Sequence, residues 1–86
     1  MIRIVSARPL EGFRLDLAFS DGVRGVVDLS GLAGRGVFAA WNLPGAFERV
    51  FVDPVARTVA WPGGIDLDPD VLYEQARGGS LNDLAA

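Results

Sequence analysis

The stretch from Gly12 to Leu29 constrains the fold more than any other part of the chain. Phe13, Leu15, Leu17 and Phe19 alternate with Arg14, Asp16 and Ala18, the period of two that turns one side of a strand into a core and the other toward water. Ser20-Asp21-Gly22 interrupts the pattern, and Val23 to Leu29 resumes it. The length of the connecting loop decides the register, because a slip of one residue exchanges the faces of the whole strand. A two-residue Asp21-Gly22 turn would set Phe19 opposite Arg24 and Leu15 opposite Asp28, bringing charge into the apolar face. A three-residue loop with Gly22 left-handed sets Phe19 opposite Val23, Leu15 opposite Val27 and Phe13 opposite Leu29. It also places Arg14 opposite Asp28 on the outer face, a favourable cross-strand pair. The three-residue loop is therefore expected.

Ile2, Ile4 and Val5 predict a strand before this hairpin, ending near Pro9, where the missing amide donor stops pairing. After it, Leu29 to Gly34 allows a short helical turn at most. Val37 to Trp41 and Asn42 to Arg49 read as short helical pieces, with Pro44 suited to a first helical turn and Phe38, Trp41 and Phe47 as buried anchors. A second hairpin joins Val50-Phe51-Val52 to Thr58-Val59-Ala60-Trp61. Setting Val52 opposite Val59 and Val50 opposite Trp61 requires a four-residue loop from Pro54 to Arg57. Asp68 reads as the cap of a helix opening at Pro69 and running to Arg77, where Gly78-Gly79 stops it. Leu72, Tyr73 and Ala76 form its packing stripe. The expected fold class is α+β, with a small, mainly antiparallel sheet of two hairpins plus an N-terminal strand, short helices and one C-terminal helix. A single domain over 1–77 is followed by a flexible C-terminal tail over 78–86.

The chemistry open to such a chain is narrow. Its 86 residues suffice for one core. It has no His and no Cys, and all eight basic residues are Arg. Ser-His-Asp, Cys-His and Schiff-base lysine mechanisms are excluded by residue type, as is a P-loop. Asp66, Asp68 and Asp70 alternate like the opening of a calcium loop, but the positions that need Gly and Glu are Val71 and Arg77, so that motif fails. Gly63-Gly64 and Gly78-Gly79 lack the context of a dinucleotide site and read as turn and helix-stop residues. No catalytic, cofactor-binding or metal-binding residue is assigned, and an enzyme is not expected.

The N-terminus lacks the features of a secretory signal, and no apolar run is long enough to span a bilayer; a bacterial-type cytoplasmic protein is expected. Residues 1–43 hold five Arg and four acidic residues, and residues 44–86 hold three Arg and seven acidic residues, within a net charge of -3. Direct nucleic-acid binding by the isolated chain is not expected, since the footprint of such binding is a clustered basic surface. Arg14 and Arg24 share the outer face of the first hairpin, but Asp16 and Asp28 balance them there. An acidic patch facing a protein partner fits better.

Trp61-Pro62-Gly63-Gly64-Ile65-Asp66-Leu67 is the most unusual stretch. It reads either as a structural corner with Trp61 in the core or, where Trp61 or Tyr73 is exposed, as a contact surface. Aromatic and Arg side chains are favoured in interface hot spots. The candidate interaction surface is Trp61, Pro62, Gly63, Asp66, Asp70 and Tyr73.

Phe19-Ser20-Asp21-Gly22 with Asp28-Leu29, then Phe38, Phe47, Val50 and Asp53, then the block from Trp61-Pro62-Gly63-Gly64 through Leu72-Tyr73, resembles the small bacterial family called domain of unknown function 2442. The similarity spans residues 2–74 and departs at Trp41, where members more often carry Leu. The resemblance implies an α+β fold on a small antiparallel sheet and supplies no catalytic residues. It also implies a setting, since members are similar to proteins found beside another small family in arrangements suggestive of toxin–antitoxin pairs, and some add a helix-turn-helix domain. Together these point to a non-enzymatic module that binds a small protein partner, one member of a toxin–antitoxin-like pair. The alternative is a transcription-associated module contacting DNA as an oligomer or through a partner. Unpaired edge strands leave a homodimer open.

Overall fold

The computed structural model describes residues 2–78, so all of the expected tail except Gly78 lies outside the described residues. Six strands and one α-helix follow in chain order: β1 (Ile4–Leu10), β2 (Arg14–Phe19), β3 (Arg24–Asp28), β4 (Phe51–Asp53), β5 (Thr58–Trp61), β6 (Ile65–Asp66) and α1 (Pro69–Ala76). Two 3-10 helices, Gly36–Asn42 and Phe47–Arg49, lie between β3 and β4. The strands form two antiparallel sheets of three, β1-β2-β3 and β4-β5-β6, where one small sheet was expected. The additional strand is β6. Pro62-Gly63-Gly64, read as a corner, is the loop of a third hairpin in which Trp61 pairs with Ile65. Gly63 and Gly64 take φ of 99° and 84°, which this tight reversal requires and side-chain-bearing residues resist.

Both predicted registers hold. Arg14 lies opposite Asp28 and Leu15 opposite Val27, Phe19 N–H donates to Val23 O at 2.8 Å, and Gly22 has φ 92°. Arg14 and Asp28 make no direct ion pair, since Arg14 Nε donates to the Glu11 carbonyl and Asp28 accepts from Ser30 N–H; Ser30, and more weakly the Arg14 charge, hold the Asp28 carboxyl below its ordinary value. In the second hairpin Val52 lies opposite Val59 and Asp53 opposite Thr58, leaving the four-residue loop. Asp53 Oδ1 accepts from Val55 and Ala56 N–H, which fixes the turn.

The N-terminal part departs from expectation in three places. β1 continues through Pro9, which pairs with Leu15; β1 is an edge strand, where proline's missing donor is tolerated. Its register also shifts between Ile4 and Ser6. That bulge leaves Val5 exposed and lets Ile4, then Ala7 and Pro9, lie on the same side as Leu15 and Leu17. Phe13 has φ 58°, outside β2, although its carbonyl still accepts from Leu29 N–H at 2.8 Å. Its ring packs edge-on against Phe47 at 5.4 Å and stacks with Trp41 at 6.4 Å. Those contacts hold a backbone conformation that a bulky residue rarely adopts.

One core joins both sheets, the 3-10 helices and α1. Ile4, Leu15, Leu17, Val27, Leu29, Val59 and Leu72 are almost wholly buried within it, each worth about 1.5–3 kcal/mol of apolar burial. α1 begins as predicted: the Asp68 side chain accepts from Asp70 N–H at 2.9 Å and Pro69 fills the first turn. Its buried residues are Leu72 and Gln75, Gln75 being absent from the expected stripe. The helix crosses β3 at Gly25, where a Cβ would collide with the Ala76 carbonyl oxygen and lie 2.9 Å from Ala76 Cα. Pro44 falls in a turn between the 3-10 helices rather than in a helical first turn. Among the described residues no helix is long and apolar enough to cross a membrane.

Candidate functional site

The candidate surface residues do not form one patch. Trp61 is a core residue at 2% exposure, and its indole N–H donates to the Phe47 carbonyl at 2.8 Å. This decides against Trp61 as a freely exposed contact; of the two readings of this stretch, the structural one describes its side chain. Pro62 and Gly63 are exposed on the β5–β6 turn, Asp66 is exposed at the end of β6, and Asp70 is exposed in the first turn of α1. Asp70 N–H and the Asp68 carboxylate complete the helix cap.

Tyr73 is half-buried and committed to the fold. Its ring meets Phe19 edge-on at 5.1 Å, and its hydroxyl donates to Asp21 Oδ2 at 2.5 Å. Asp21 Oδ1 accepts from Val23 N–H at 3.1 Å, so one carboxylate shapes the β2–β3 loop and ties it to α1. The Tyr73 hydroxyl, then the Val23 amide, hold the Asp21 carboxyl below its ordinary value, while the same bond to Asp21 raises the Tyr73 phenol. The Arg77 guanidinium lies over the Tyr73 ring at 5.4 Å. Asp21 had been read only as a turn residue, and nothing local in the sequence points from it to a helix fifty residues on.

On the outer face of the first sheet Asp16 accepts from Arg8 at 3.2 Å and stands 3.6 Å from Arg24. Arg8, Arg14 and Arg24 share this face with Asp16 and Asp28. The arginine stripe is thus interleaved with acids, and its central carboxylate is paired on both sides. Among the described residues no three His, Cys, Asp or Glu side chains gather as a metal site.

A groove with two indoles in its walls lies elsewhere. It is about 330 Å³ and runs between the 3-10 helices and the β5–β6 turn, lined by Trp41, Leu43, Pro44, Arg49, Trp61 and Pro62 among others. The two indole rings stand 4.7 Å apart and tilted by 48°, with Phe47 against both. Leu43 is 65% exposed. Arg49 is the only ionisable side chain of the lining, and the ion pairs of the described residues use Arg8, Arg24 and Arg77 instead. Trp41 differs from Trp61 in one respect: its indole N–H is buried without an acceptor. Arg49 carried no signal in the sequence beyond its charge, whereas Trp41 was read as a buried anchor, which it is.

The Trp61-to-Gly64 turn, the capped helix and the two hairpin registers are the framework carried by the residues of the resemblance. The family model described as "Protein of unknown function (DUF2442)" matches residues 4–78. The chain belongs to this family. The matched span takes in both sheets, both 3-10 helices and α1, so the DUF2442 framework includes the groove walls. Comparisons with curated proteins and with solved structures give no match.

Proposed function

We propose that this DUF2442 chain is a non-enzymatic protein-interaction module of the bacterial cytoplasm that docks a small protein partner in the groove beside the Pro62-Gly63-Gly64 turn. The observation that carries the reading is the exposed rim of the groove, where Leu43, Pro44 and Pro62 stand beside Arg49 over the buried indoles of Trp41 and Trp61. Such a rim supplies apolar contact area and a single fixed charge. Acid–base catalysis needs groups that change protonation near the working pH, and a guanidinium does not. Arg side chains are also among the anchors on which interface energy concentrates, and Arg49 is exposed. Asp66 and Asp70 are exposed outside the groove lining and form a second, separate contact in this reading. A toxin–antitoxin-like pairing rests on the family resemblance alone.

The test is to purify the tagged chain from its host, isolate any stoichiometric companion and rebuild the complex from separate components. Leu43→Asp places a charge at the groove edge without touching the core, and it is expected to abolish or sharply weaken the complex. The double change Asp66→Arg with Asp70→Arg is expected to weaken it further. A companion that binds all these variants as tightly as the parent would contradict the reading.

The alternative, DNA contact through Arg8, Arg14 and Arg24 as an oligomer or through a partner, draws on their shared face of the first sheet. It predicts duplex binding that falls steeply with salt. The double pairing of Asp16 with Arg8 and Arg24 speaks against it.

A further inference from the structure

We infer that the outer edge of β3 pairs with the same edge of a second copy of this chain, antiparallel across a two-fold axis at Val26, so that the two β1-β2-β3 sheets become one. The ladder says which groups that edge presents. Phe19 N–H donates to the Val23 carbonyl and Leu29 N–H to that of Phe13, and the register between them is unbroken. Residues bonded across an antiparallel pair alternate with residues whose backbone groups point away, so the N–H and C=O of Arg24, Val26 and Asp28 face outward from β2. β3 ends its sheet, and no other described element bonds to these groups.

The side chains make the edge self-complementary. All three stand on the outer face, opposite Ala18, Asp16 and Arg14 in turn, and Val26 is 49% exposed. A two-fold axis at Val26 sets that side chain against its copy and sets Arg24 against the copy's Asp28 on either side. Apolar then meets apolar at the centre, with an opposite-charge pair flanking it twice. The same centre brings every outward N–H of one strand to an outward C=O of the other. Like charges at 24 and 28 would repel across the axis and guard the edge; opposite charges admit a copy. α1 packs on the inner face, over Gly25, away from the side chains that meet. The remaining edges are less open. β1 carries Pro9 and the bulge at Val5, two devices that blunt an edge. β4 runs beside β1, whose Ile4 N–H donates to the Arg57 carbonyl of the β4–β5 loop, and β6 has only 2 residues.

The test is analytical ultracentrifugation of the full chain over a range of concentrations. A reversible monomer–dimer equilibrium is expected, toward the weak end because one strand pair is a small interface. Arg24→Asp and Asp28→Arg each set like charges against one another on both sides of the axis, and each is expected to raise the dimer Kd about tenfold. Mixing the two variants restores opposite charges at both contacts, so the mixture is expected to associate more tightly than either variant alone, a gain that loss of folding cannot produce. Val26→Pro removes an outward N–H and no bond to β2; it is expected to abolish the dimer and keep the circular dichroism spectrum of the parent. The inference is overturned if the parent stays monomeric at about 1 mM, or if Val26→Pro dimerises like the parent. A mixture that associates no more than its components overturns it too, since the dimer then forms on another surface. A monomeric parent whose Val26 amide resists hydrogen exchange has this edge covered from within its own chain, which likewise overturns it. The groove reading is tested separately by Leu43→Asp and survives any of these results.

Discussion

Two tryptophans 4.7 Å apart share one environment and differ by one hydrogen bond. The Trp61 indole N–H is bonded to the Phe47 carbonyl, and that of Trp41 has no acceptor among the described residues. Trp61→Phe should therefore cost more stability than Trp41→Phe, by about 1–3 kcal/mol, because only the first leaves a buried carbonyl without its donor. Urea unfolding of the two variants, followed by circular dichroism, checks the order. The Asp21–Tyr73 bond makes a pH prediction of known sign. Asp21 titrates below its ordinary 3.8, so its contribution is complete above that value and is lost as pH falls through the lower folded-state value. Tyr73 titrates above its ordinary 10.0, so its contribution is complete below that value and is lost as pH rises through the higher one. Tyr73→Phe is expected to lower the urea midpoint between these limits and to flatten its fall at the acid end relative to the parent.

At the scale of elements, α1 lies directly against β3 at Gly25. Gly25 lies on the buried side of the sheet opposite Leu17, and the Ala76 carbonyl occupies the space a Cβ would need. Gly25→Ala is expected to cost about 1–3 kcal/mol by overpacking, visible as a lower unfolding midpoint, while Gly22→Ala acts only through the backbone of an open turn. Strands and turns were legible in the sequence to the extent that their determinants are local. Alternation from Leu15 to Phe19 with Ser20-Asp21-Gly22 set one register, and Asp68-Pro69 set the helix start. What was not legible depends on distant groups. The bulge at Val5 reconciles the facing of Ile4 with that of Ala7 and Pro9. The left-handed Phe13 is held by Trp41 and Phe47. β6 has two residues and exists because Trp61 can pair with Ile65 across the glycine turn.

At the scale of the whole molecule, the candidate site was half visible. The unusual Trp61-Pro62-Gly63-Gly64 stretch does border the groove, but its partners Trp41, Leu43 and Arg49 come from the 3-10 region, and only the folded chain brings the two together. The sequence groups Asp66, Asp70 and Tyr73 in one candidate surface, whereas in the fold Tyr73 is engaged with Asp21. The sheet faces divide the protein into two testable surfaces, the groove on one side and the arginine and aspartate face of β1-β2-β3 on the other reading. The most direct test is the amide chemical-shift footprint of the purified host companion on the labelled chain. Perturbations concentrated in residues 40–49 and 61–65 are predicted. A footprint confined to β1, β2 and β3, with residues 40–49 unmoved, would contradict the groove as the contact surface.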